Sequence, residues 1–267
     1  MARPPARPIA LTARRLRQTV TSFENGTTLL AGLARRSDEL VFETGELTIT
    51  CPNIAGARVP VYEVFAENAY RLDWFTQDLP TVRALDIGGH IGCFTTALSV
   101  QRPDARIWTY EASPATAAFT RRNIDGNGLQ DRVTLNNEGV TSYDGTLSFA
   151  DNAGGSGLNG LTAPEGTKVI EIPCVSLATA MERAGGDITL VKIDTEGAEY
   201  DIVLPSDPAA WASVQRVVLE YHPVDGHSWA ELKEFFASAG LQVVLDEPVT
   251  DRLGTAWLSR TPLPDPA

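Results

Sequence analysis

The run Thr81-Val-Arg-Ala-Leu-Asp-Ile-Gly-Gly-His-Ile-Gly-Cys-Phe-Thr-Thr-Ala-Leu-Ser-Val100 carries three signals in succession. An apolar approach ends in Asp86, a glycine-rich bend follows, and an apolar run of helical character begins at Gly92. Strand, tight turn and helix in that order present backbone N–H groups and a helix N-terminus to a ligand. Gly88 and Gly92 stand where a Cβ would strain the turn or meet that ligand. The dinucleotide fingerprint G-x-G-x-x-G is not met, because Ile87 and His90 break its spacing. This disfavours a dehydrogenase.

Downstream, the alternation of strand and helix continues. Arg106–Tyr110 reads as a second strand closing on Glu111, an acid placed to accept both hydroxyls of a ribose. Ser113-Pro114 supplies an N-cap followed by proline at the first helical position, and Gly126 and Gly128 stop that helix. Val133–Asn137 is a third strand, whose loop offers Asn136, Asn137 and Glu138 as polar partners for an adenine edge. Thr146–Ala150 and Lys168–Pro173 look like strands flanking a glycine-rich loop at 154–160, which reads as a mobile hairpin at a substrate mouth. It lacks the Lys-Ser/Thr of a P-loop. Two further apolar strands, Ile188–Asp194 and Arg216–His222, run straight into polar groups. Ligands of open α/β sheets bind at such carboxyl ends, so Asp194, Glu196, Glu220 and His222 are expected to converge. A capping box at Ser228–Glu231 opens a helix ending at Gly240, and strands at Gln242–Leu245 and Thr255–Ser259 close the sheet.

Upstream, residues 1–23 contain five arginines and no acid, which reads as a partly helical or frayed arm with a transit peptide as the alternative. Their deletion is expected to affect folding little. Glu46–Cys51 alternates like a strand, and Pro52, Asn53, Gly56 and Pro60 punctuate the segment beyond it. Val61–Phe75 has apolar residues at helical spacing, giving either a helix docked on the core or a lid carrying Glu63 and Tyr70. The 267 residues suit one large α/β domain with an extension. We expect an N-terminal arm and strand-containing extension over 1–58, a catalytic domain over 59–260 and a disordered tail over 261–267. A net charge of −12 argues against nucleic acid, and no apolar run is long enough for a membrane span. Cys51, Cys93 and Cys174 lack metal-ligand spacing and read as buried reduced thiols of a cytoplasmic protein.

Asp86-x-Gly-x-x-x-Gly92 is similar to the first motif of S-adenosylmethionine (SAM) methyltransferases. The chain as a whole resembles the FkbM family of those enzymes, over about residues 59 to 246. Leu85–Gly92, Tyr110-Glu-Ala-Ser-Pro114 and above all Val191-Lys-Ile-Asp-Thr-Glu-Gly-Ala-Glu199 carry the resemblance, with Leu219-Glu-Tyr-His-Pro223 and the Glu63–Tyr70 element in agreement. It implies a Rossmann-like class I sheet of seven mostly parallel strands with helices on both faces. It also implies SAM as cofactor, held by Glu63, Tyr70, Asp86, Gly88, Gly89, Gly92, Phe94, Glu111, Ala112, Ser113, Asn137 and Glu138. His90 departs from the asparagine common in the first motif, which puts the cofactor contact at that position in question.

The function expected is methyl transfer to a hydroxyl of a small secondary metabolite or sugar. N-methylation of an amino sugar or peptide and a catalytically silent SAM-binding protein are the alternatives. His222 is the first candidate for the base, because an imidazole titrates near working pH. Asp194, Glu196 and Glu220 orient the acceptor or share the task. These acids are also hard oxygen ligands suited to Mg²⁺, but the reading adopted is a site without metal. The partner expected is a small-molecule acceptor, with a homodimer as one open assembly.

Overall fold

The computed structural model describes residues 8–151 and 169–266, with backbone alone over 8–12. The glycine-rich stretch 154–160 therefore lies outside the described residues. The extension comprises α1 (Pro8–Thr21), α2 (Gly26–Arg35) and an antiparallel hairpin of β1 (Glu39–Thr44) and β2 (Leu47–Pro52). Helices α3 (Ala55–Phe65) and α4 (Leu72–Thr76) lead into the sheet. Its units are β3 (Arg83–Ile87), α5 (Cys93–Gln101), β4 (Arg106–Tyr110), α6 (Pro114–Gly126) and β5 (Val133–Asn136). Three shorter strands follow, β6 (Gly139–Thr141), β7 (Gly145–Ala150) and β8 (Val169–Ser176), and then α7 (Leu177–Arg183). The chain finishes with β9 (Leu190–Ile193), α8 (Glu199–Val203), β10 (Arg216–Tyr221), α9 (Trp229–Ser238), β11 (Gln242–Pro248) and β12 (Gly254–Ser259).

Seven strands form one sheet in the order β11-β12-β10-β9-β3-β4-β5, with β12 antiparallel to both neighbours. All four residues of β9 are buried, as both faces of a central parallel strand must be. Strand order reverses between β3 and β9, and the crevice at that switch point is where such sheets take ligands. A second sheet, β6-β8-β7, stands beside the crevice. No helix among the described residues is long and apolar enough to cross a membrane.

Three sequence expectations need correction. The single helix read over 61–75 is two, because Asn68 and Arg71 adopt left-handed φ of 51° and 49° between α3 and α4. Pro60, read as a break, sits inside α3, where buried Ala57, Val61 and Tyr62 hold the helix despite the lost N–H. The tail read as disordered is held as far as Pro264: Trp74 Nε1 donates to the Pro264 carbonyl at 2.7 Å, and Leu263 packs on the core.

The extension is bound to the sheet domain more closely than a loose arm would be. Phe23, Phe42 and Tyr62 meet edge to face, and their cluster continues into Ile91 and Cys93 beside the glycine turn. Buried Thr19 of α1 shares a 2.7 Å hydrogen bond with the Tyr62 hydroxyl. The open edge of β2 is met by two side-chain amides of the α6 region. Asn123 accepts from Thr50 N and donates to Thr50 O, and Asn127 does the same at Thr48, at 2.8 to 3.0 Å. An edge strand's unpaired groups are thereby satisfied without another strand. The core thus runs across residue 58.

Candidate active site

The glycine turn after β3 has no room for side chains. Gly88 has φ +81°, and a Cβ there would lie 1.8 Å from the Asp194 carbonyl oxygen. Gly88 N and Gly89 N both donate to Tyr110 O, at 3.0 and 2.9 Å, which brings the ends of β3 and β4 together. Gly92, at φ +87°, is the left-handed cap of α5. His90 is left-handed too, at φ 48°, and histidine shares with asparagine the tolerance of that region. Its backbone N–H donates to Glu111 Oε2 at 2.7 Å, a contact that does not depend on the side chain.

Glu111 ends β4 nearly buried, its second oxygen accepting from Ser113 N at 2.9 Å. Each oxygen keeps a lone pair for a ligand hydroxyl. Burial outweighs those two donors and pushes the carboxyl up to about 7. Asn137 Nδ2 donates to the Glu111 carbonyl at 2.7 Å and so holds the loop. Glu138 is paired with Arg183 at 2.5 Å.

Gly88, His90, Glu111 and Glu138 line a cleft of about 130 Å³. Gly88, Glu111, Ala112, Glu138, Asp194 and Glu196 face it, as do Ile87, Tyr110, Val140, Leu147 and Phe149. Leu147 and Phe149, on alternate positions of β7, were missed as site residues although their strand was expected. The described lining holds four carboxylates and no lysine or arginine. That composition suits a cationic nucleoside and opposes a pyrophosphate.

Several expected cofactor residues stand behind this surface. Asp86 is fully buried, accepting from Thr95 Oγ1 at 2.6 Å and facing Lys192 Nζ at 3.3 Å. Phe94 packs edge-on against Tyr70, whose hydroxyl donates to Asp194 Oδ2 at 3.3 Å. Ser113 caps α6. Gly89 and Gly92 shape the turn, and Glu63 is half-buried, near enough to Asp194 to feel its charge. Lys192 was missed. It is 3% exposed, donates to Gly88 O at 2.5 Å and lies 3.7 Å from Asp194, tying the glycine turn to the acids. A lysine inside a four-residue apolar strand was the available signal.

The strand-end acids do converge with the histidine. His222 Nδ1 lies 2.8 Å from Glu199 Oε1, while Nε2 is 3.5 Å from Glu196 and 3.8 Å from Glu220. Glu196 reaches this position from a left-handed φ of 54°, backbone strain of the kind that collects at functional sites. Burial, then the charge of Asp194, raises Glu63 and Glu196 to about 7 and Glu220 to about 8. Burial lowers the His222 imidazole, but the Glu199 bond and the charges of Glu199, Asp194 and Glu220 outweigh it and carry it up to about 9. A free imidazole titrates near 6.5, and the acids around His222 raise it from there. Asp194, Glu220 and His222 offer ligand atoms within 4.8 Å of one another. The Glu199 pairing at Nδ1 leaves Nε2 as the ring atom open either to a metal or to a proton.

Residues 86–243 match the family model described as the methyltransferase FkbM domain. The chain belongs to the FkbM family of SAM-dependent methyltransferases. This FkbM methyltransferase is 27% identical over 229 residues to the 31-O-demethyl-FK506 methyltransferase FkbM of Streptomyces tacrolimicus, covering 75% of this chain and 87% of that one. It is 25% identical over 207 residues to Methyltransferase 1 of Beauveria bassiana (strain ARSEF 2860), covering 70% and 81%. A SAM-dependent methyltransferase structure from Agrobacterium tumefaciens aligns over 84% of this chain and 71% of that one, at 11% identity and a TM-score of 0.49.

The cleft of this FkbM methyltransferase fits SAM by donor set, with an acid just after β4, apolar walls and no lysine or arginine in its described lining. If Glu111 holds the ribose hydroxyls, Glu111→Ala weakens S-adenosylhomocysteine by about ten- to a hundredfold, the effect of losing a charged hydrogen bond. Calorimetric titration of the folded variant checks this, and unchanged affinity removes Glu111 from the site.

Proposed function

We propose that this enzyme methylates a hydroxyl oxygen of a small secondary metabolite or sugar, with His222 accepting the proton. The observation that carries the reading is the buried Glu199 carboxylate on Nδ1 of His222, which leaves Nε2 toward the acids beside the cleft. A carboxylate on one ring nitrogen sets the tautomer and strengthens the other nitrogen as a proton acceptor. The similarity to a relative named as a 31-O-demethyl-FK506 methyltransferase also supports oxygen as the acceptor.

Glu111, the backbone of the glycine turn and the walls at Ala112, Val140 and Phe149 would hold SAM. When bound, SAM supplies an already activated methyl group. The chain's own tasks are then to align the acceptor and to remove its proton. Asp194, held by Tyr70 and Lys192, and Glu196 orient the acceptor. His222 takes the hydroxyl proton at Nε2, and Glu199 stabilises the imidazolium that forms.

One observation favours a second reading. Glu63, Asp194, Glu196 and Glu220 gather on one side of the site, and such acids would also hold an ammonium, as N-methylation of an amino sugar or peptide requires. The test is methyl transfer from SAM to a panel of paired alcohols and amines on shared scaffolds, with the added CH₂ located by tandem mass spectrometry. Products methylated on oxygen, formed at equal rates with and without EDTA, are expected. Methylation confined to nitrogen overturns the proposal, and abolition by EDTA overturns the metal-free reading.

A further inference from the structure

The proposed base needs a partner that the sequence motifs did not assign, and resting on that reading of His222 we infer that Glu199 is its positioning residue. The two side chains form a buried carboxylate–imidazole pair that holds the proton on Nδ1.

The geometry begins with Glu199 itself. It is fully buried at the first position of α8, and Oε1 accepts from Thr195 N and Gly197 N, both at 3.2 Å. Those two N–H groups belong to the turn after β9, so the carboxylate is anchored to the same loop that presents Asp194 and Glu196. The same oxygen meets His222 Nδ1 at 2.8 Å, a normal length for a charge-assisted bond. Oε2 has no hydrogen-bond partner among the described residues. An ionised carboxylate taken out of water is costly unless a cation or strong donors compensate it. Among the described residues, His222 is the group that forms an ion pair with Glu199.

The imidazole is equally constrained. Its side chain is 12% exposed and is followed by Pro223. Charged groups face it from every adjoining element: Glu199 from α8, Glu196 and Asp194 from the loop after β9, and Glu220 from β10. Lys192 stands 3.7 Å from Asp194. Of these, Glu199 alone takes Nδ1, while Glu196 and Glu220 lie nearer Nε2. Glu199 therefore governs which ring nitrogen keeps its proton, and the other acids govern what Nε2 meets.

Glu199→Gln is the informative change. Its amide oxygen can occupy the place of Oε1 and accept the same three N–H groups, so the shape is retained and the charge is lost. The His222 ring is followed by ¹⁵N-histidine NMR, with the other two histidines separated using the His222→Asn spectrum. In the wild type we expect an Nδ1–H imidazole above its titration, which lies well on the basic side of free histidine. In Glu199→Gln that titration moves down by at least one pH unit, and the basic limb of the rate–pH profile moves down with it. The maximal rate at high pH falls about tenfold or more, while S-adenosylhomocysteine affinity stays near wild type. An unmoved His222 titration in folded Glu199→Gln overturns the pairing. If the variant does not fold, a wild-type His222 titrating below pH 7, or carrying its neutral-state proton on Nε2, overturns it equally. A titration that moves while the rate profile stays in place upholds the pair and instead sinks His222 as the base.

Discussion

His222→Asn lowers turnover by about a hundredfold or more while leaving S-adenosylhomocysteine affinity near wild type. An alcohol is a poor nucleophile until its proton is being removed, and asparagine is polar and of similar size but accepts no proton at neutral pH. The pH dependence carries a second expectation with a definite sign. A base must be neutral to act, and Glu199, Asp194 and Glu220 hold the His222 proton up to about 9. The wild-type rate therefore rises with pH from neutrality toward about 9, where a free histidine would have levelled off above about 6.5. Glu220, raised by burial and Asp194 to about 8, titrates together with His222, so the limb belongs to the pair. In His222→Asn the limb near 9 disappears. A folded variant that retains full turnover sinks the assignment and moves the base to the carboxylates. If instead Asp194→Asn is the more damaging change and acts through acceptor KM, a neutral amine acceptor held by the acids is the better reading.

Gly88→Ala abolishes SAM binding and destabilises the fold. The added methyl would sit 1.8 Å from the Asp194 carbonyl oxygen and 2.8 Å from its carbon, both backbone atoms that cannot rotate away. Asp194 N donates to Ile87 O at 3.1 Å, so relief requires parting β3 from β9 at the crevice. Left-handed φ alone costs an alanine about 1–2 kcal/mol. With the clash added we expect on the order of 3 kcal/mol, a drop in melting temperature of roughly 10 °C for a domain of this size. Gly45→Ala is the control. Its φ is +56° with nothing within 4 Å of the added methyl, so it bears the conformational cost alone. Calorimetric melting with and without S-adenosylhomocysteine separates the two, and equal losses at both positions would show that the close approach to Asp194 is not the cause.

Some of this was legible in local pattern. Strand β9 could be read from an apolar run interrupted by Lys192 and β4 from its approach to Glu111, because burial on both faces selects apolar residues whatever the rest of the chain does. Placing Asp194, Glu220 and His222 at strand ends was enough to bring them together, since parallel neighbours in register align their carboxyl ends. Glycine at 88 and 92 announced a backbone that only glycine adopts easily.

What the chain's linear order did not disclose depends on which groups share a volume. Glu199, at the start of α8, meets His222, just past β10, across 23 residues. The elevated proton affinities of Glu63, Glu196, Glu220 and His222 come from lost water and from mutual charge, properties of their surroundings in space. The same holds for the extension. Its alternating residues disclosed β2, but its pairing with β1, and Asn123 and Asn127 binding Thr50 and Thr48, could not be read from either segment alone. Local pattern determined the strands, the turn and the end of the sheet where the site lies. Tertiary contact decided which carboxylate partners the histidine, how protons are shared, and how the described part of the extension is held, because desolvation and pairing are set by neighbours distant in sequence.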